Sequence, residues 1–98
     1  MESIDIVGKI KDARAARNNF LQAALNSGII FSNENKKREA AAREAFIMSH
    51  AGVWNAVEFE HGGDFASRLV DMLDAREWSE DAVFQASELL LLGAKEAA

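Results

Sequence analysis

The 98-residue chain contains no cysteine, no proline and no tyrosine, and only six glycines. Without cysteine there is no disulfide scaffold, no thiolate zinc site and no thiol nucleophile. Low glycine and absent proline exclude collagen-like and Pro/Gly-rich disordered chains. Long hydrophobic runs are also missing. Purely apolar stretches stop at four residues, as in Leu89-Leu90-Leu91-Leu92, far short of the ~18–20 needed to span a bilayer. The N-terminus carries no apolar core of a secretory signal. What is abundant is alanine, 18 residues, the strongest helix former, in a chain without the strongest helix breaker. The expectation is one all-α, cytoplasmic domain over residues 1–98, a small helical bundle of about four helices.

Glycines and polar caps divide the chain. Asn26-Ser27-Gly28-Ile29 reads as a Schellman stop, and His61-Gly62-Gly63 as a second stop. Ser32 or Asn33, Asp64 and Ser79 read as N-caps. Around Ser79, Trp78 and Val83 stand in hydrophobic-staple positions, with Glu80 and Asp81 in the first turn. Helices are therefore expected over about residues 4–27, 33–61, 65–76 and 80–96. In the first, Ile6, Val7, Ile10, Ala13, Phe20, Leu21, Ala24 and Leu25 form one apolar stripe, with Arg17 inside it and Arg14 at its margin.

The second helix carries two stripes. One is Phe46, Ile47, Val53, Trp54 and Val57. The other, roughly opposite, is Ala41, Ala45, Met48, Gly52, Ala56 and Phe59. A helix apolar on two sides needs cover on two sides. At ~1.5 Å per residue its 29 residues span ~43 Å, whereas a compact domain of this size has a radius of gyration of ~13 Å. Either the helix kinks near Gly52 or it projects. Together with the leucine run, this points to self-association, most simply a homodimer, through Ala41, Ala45, Met48, Gly52, Phe59, Leu89 and Leu92.

The formal net charge of −5 disfavours nucleic acid and anionic membranes as partners. That charge is unevenly spread: residues 1–50 hold eight Lys/Arg and six acids, a net +2, while residues 51–98 hold three and ten, a net −7. The acidic half presents Glu58, Glu60, Asp64, Asp71, Asp74 and Glu77 as a face suited to a basic protein surface. Arg14, Arg17, Arg43 and His50 read as a candidate anion site, against the plainer reading of snorkelling arginines and a hydrogen-bonded histidine. Glu58 and His61 have the Glu-x-x-His spacing of di-iron bundles, but the partner motif and the extra glutamates are missing. The chain has no Gly-rich phosphate loop, no nucleophile elbow and no histidine placed to serve a serine. Neither an enzyme nor a cofactor or metal is expected.

In size and composition the chain resembles the small, acidic, cofactor-free helical inhibitors encoded by phages and plasmids, anti-CRISPR proteins among them. No motif links residues to such a family. The resemblance implies a non-enzymatic interaction protein acting as a homo-oligomer. The alternatives are an oligomer that sequesters an anionic ligand such as a nucleotide between its first two helices, and a DNA-binding regulator using the basic half, Lys36, Lys37 and Arg38 together with Lys9, Lys11 and Arg14. The latter lacks the short recognition helix and tight turn of a helix-turn-helix.

Overall fold

The computed structural model describes residues 5–97, with side chains described through Gly93. It contains four helices, α1 (Ile6–Ile29), α2 (Asn33–His61), α3 (Gly63–Ala75) and α4 (Glu80–Ala97), and no strand among the described residues. The expected start of the first helix at residue 4 lies outside the described residues. Side chains fix three of the helix starts by accepting from orphan backbone N–H groups. Asp5 accepts from Gly8 at 2.9 Å, Ser32 from Asn35 at 3.1 Å and Ser79 from Ala82 at 3.2 Å.

Two stop signals resolve differently. Gly62 takes φ +91° and its N–H closes α2 on the Glu58 carbonyl, a conformation that glycine adopts without a Cβ penalty. Because that same residue also opens α3, Asp64 sits inside the first turn and does not cap it. Gly28, by contrast, is an ordinary helical residue. The α1 helix runs on to Ile29 and ends when Ile30 becomes extended, its N–H reaching the Asn26 carbonyl. The three-residue connection is then pinned from the far side, where the Asn35 side chain donates to the Ile30 carbonyl at 2.9 Å.

The α2 helix passes through Gly52 without a break, so it projects. The molecule measures 53 × 27 × 20 Å and its radius of gyration is 15.3 Å, larger than the ~13 Å of a compact chain of this length. Helices α1 and α2 form a long antiparallel hairpin, and α3 and α4 pack across only half of it. In that half Ile6, Ile10 and Ala13 of α1 meet Val53, Ala56 and Val57 of α2, Leu69, Val70 and Leu73 of α3, and Ala82, Val83, Ala86 and Leu90 of α4. The largest fully buried side chain is Trp78, on the turn between α3 and α4. The other half, residues 18–46, is a two-helix arm with no third layer. For that reason Leu21 and Leu25, expected in the core, are 46% and 58% exposed. Ile47, in the first stripe of α2 and at the base of the arm, is 59% exposed.

Candidate interaction surfaces

The arm and the four-helix half meet at Trp78. Residues Glu77 and Trp78 both adopt left-handed φ, +56° and +52°, which lets the turn reverse within four residues. Several polar contacts hold this unfavourable geometry. The Trp78 indole N–H donates to Asp74 Oδ1 at 2.7 Å, and its carbonyl accepts from Arg14 Nε at 3.1 Å. His50 Nε2 lies 3.2 Å from the same Asp74 oxygen. An aromatic series runs outward from this point, with His50 and Phe46 edge-on to one another and Phe46 stacked at 6.4 Å on Phe20 at the base of the arm.

This arrangement places the candidate anion-binding residues. Arg14 and His50 come to the same turn, each engaged with a group of the chain itself. Arg17 is half-buried and Arg43 exposed, and neither has a carboxylate within 4.0 Å among the described residues. Being only half-buried, Arg17 does not need the carboxylate partner that full burial would demand.

The face that α3 and α4 cover continues uncovered along the arm. On α1 the line Ile10, Arg14, Arg17, Leu21, Leu25 advances by three or four residues and stays on one side. On α2 the corresponding line is Trp54, His50, Ile47, Arg43, Glu39, Lys36. At the tip Lys36 Nζ lies 4.4 Å from the centre of the Phe31 ring, and Phe31 itself is 77% exposed. The uncovered face thus interleaves the apolar Leu21, Leu25, Ile47 and Phe31 with the cations Arg17, Arg43 and Lys36 and one acid, Glu39. No acid lies between Asp12 and Glu34 on the α1 side, and Glu34 is paired with Arg38 at 2.7 Å. The opposite face of the arm carries a groove of about 460 Å³ rimmed by Asn19, Gln22, Asn26 and Asn35 and floored by alanines, Ala41 and Ala45 among them.

The acidic residues Glu58, Glu60, Asp64, Asp71, Asp74 and Glu77 are all exposed. Asp74 differs from the rest because its carboxylate anchors Trp78 and His50. Among the described residues no three His, Cys, Asp or Glu side chains converge on a metal-sized site. His61 packs its ring 4.8 Å from Phe65, and Gly93 faces that pair closely.

The residues expected to mediate self-association lie on several surfaces. Ala41, Ala45, Met48 and Phe59 are exposed and Gly52 is half-buried, with open space where a Cβ would stand. Ala56, from the same stripe, is buried in the core. Leu89 and Leu92 are 37% and 55% exposed, whereas Leu90 of the same run is buried.

A strip on α4, outside the expected interface residues, is exposed as well. Phe84 and Leu91, 66% and 64% exposed, lie seven residues apart on the outer face, with Asp81 and Glu88 beside them at the same spacing. The signal was present: no Lys or Arg occurs between Arg76 and Lys95. Comparison with protein-family models, curated proteins and solved structures found no significant match.

Proposed function

We propose that the protein is a non-enzymatic protein–protein interaction module that works as a homo-oligomer. The observation that carries this reading is its exposed apolar surface. Among the described residues twelve large hydrophobic side chains stand exposed, most of them on the arm and on α4. Monomeric proteins leave such grouped surface bare mainly where another macromolecule covers it. The acidic face of α2 and α3 is the surface offered to a partner, which is then a protein with a basic surface, as for the phage- and plasmid-encoded inhibitors that the chain resembles in size and composition. An acidic surface of that kind speeds encounter with a basic groove and orients it.

The test is affinity capture with purified protein beside the triple variant Glu58→Lys, Asp64→Lys, Asp71→Lys. A partner retained by the wild type and lost by the variant supports the reading. Equal retention by both proteins overturns the acidic face as the docking surface. Calorimetry against linear and cyclic nucleotides separates the module from an anion trap: saturable heat that disappears in Arg17→Ala overturns the proposal in favour of ligand sequestration.

A further inference from the structure

We infer that the uncovered face of the arm receives α4 of a second copy of this chain, and that the pairing is reciprocal. The inference rests on the proposal of self-association and adds its geometry. The arm face is the continuation of the face that α3 and α4 already cover in the other half, so it is shaped for helices lying across it. Its apolar side chains are Leu21, Leu25, Ile47 and Phe31, and its cations Arg17, Lys36 and Arg43 have no carboxylate within 4.0 Å among the described residues. Even with Glu39 between Lys36 and Arg43 the face is net cationic, so two such faces repel and an arm-on-arm pairing through this face is disfavoured. The complementary occupant is a helix that carries acids among exposed apolar side chains.

The outer strip of α4 has that chemistry and that length. Phe84, Leu91 and Leu92 are its apolar side chains, 66%, 64% and 55% exposed, and Asp81 and Glu88 lie between the Phe84–Leu91 line and Leu92. Asp81 and Glu88 are seven residues apart, ~10.5 Å along the helix, and so are Lys36 and Arg43. Covering these side chains on both strips, twice over in a two-fold pair, would bury on the order of 1,000–1,600 Å², within reach of a standard specific interface.

Sedimentation velocity on the full chain tests the pairing. The wild type is expected to be a dimer, and Leu25→Asp a monomer with unchanged helical circular dichroism. Arg43→Glu and Glu88→Arg are each expected to weaken dimerisation by about tenfold or more, because each sets like charges opposite one another. Both positions are exposed, so folding is preserved. Mixed in equal amounts, the two variants are expected to associate with near wild-type affinity, since both contacts of the mixed pair are then complementary. A wild type that stays monomeric at its highest soluble concentration overturns self-association and this pairing together. A wild-type dimer whose two variants stay dissociated on mixing overturns the pairing alone.

Discussion

Arg14 and Trp78, 64 residues apart, are joined by a hydrogen bond of 3.1 Å from the arginine Nε to the tryptophan carbonyl. The contact ties the middle of the longest structural unit, the α1–α2 hairpin, to the only left-handed turn made by non-glycine residues among the described residues. Removing Arg14 leaves that carbonyl short of a partner at a part-buried position. Arg14→Ala is expected to lower stability by about 1–2 kcal/mol. Trp78→Ala, which empties the largest fully buried site, is expected to cost about 3–5 kcal/mol. Chemical denaturation followed by circular dichroism checks both, and equal losses for the two would be inconsistent with this assignment.

Asp74 and His50 form a pair whose members are not equivalent. The carboxylate also holds the Trp78 indole N–H at 2.7 Å, whereas among the described residues the imidazole has no other polar partner, and both side chains are 31–50% exposed. Asp74→Ala is therefore expected to cost about 1–3 kcal/mol through the unsatisfied indole. His50→Ala is expected to cost less than about 1 kcal/mol as far as this partly exposed polar contact is concerned. A larger loss in His50→Ala than in Asp74→Ala would mean that its ring packing against Phe46 and Trp78 outweighs the hydrogen bond.

Glu77 occupies the left-handed region at an exposed position. Glycine adopts that conformation without the Cβ clash, so Glu77→Gly is expected to stabilise the fold by about 0.5–1 kcal/mol. In a domain of this size that raises the melting temperature by a few degrees, about 4–8 °C per kcal/mol. A fall in melting temperature would show that the Glu77 side chain contributes more than its backbone strain removes.

Gly52 has nothing within 4 Å of the position a Cβ would take, and its backbone is helical. Gly52→Ala is expected to gain about 0.5–1 kcal/mol from helix propensity and a less flexible unfolded chain. The bulkier Gly52→Leu separates two modes of self-association. If α4 pairs with the arm, sedimentation of Gly52→Leu is unchanged. If instead the small-residue stripe of Ala41, Ala45 and Gly52 closes between copies, Gly52→Leu dissociates the assembly and Leu25→Asp does not.

Much of this architecture was legible from local chemistry. Ser32 and Ser79 cap as their positions demand, Gly62 ends α2, and the lack of proline leaves four unbroken helices. Gly28 misled because a glycine near a helix end permits a left-handed stop without requiring one, and here Ile30 ends the helix by extending. The Leu21–Leu25 stripe misled for a tertiary reason. A periodic apolar face shows that a helix wants cover, but its period cannot say where along the hairpin the next layer ends. That boundary falls at Trp78, whose indole and carbonyl draw Asp74, His50 and Arg14 together across three elements. Nothing in the spacing of residues 14, 50, 74 and 78 announces such a meeting. Periodicity did suffice to show that α2 is longer than a compact domain, and the 53 Å long axis follows from it.

The two-helix arm also has a kinetic meaning. Backbone amides in residues 18–46 are protected by a single helix–helix contact, whereas those nearer Val53, Val57, Ile6 and Ile10 lie under two further helices. Opening of the arm does not require opening of the core, so the halves of α1 and α2 should behave as separate cooperative units although each helix is continuous. Hydrogen exchange is expected to be faster in the arm than around Trp78. If a second copy covers the arm, its exchange will slow as protein concentration rises while that of the core stays constant.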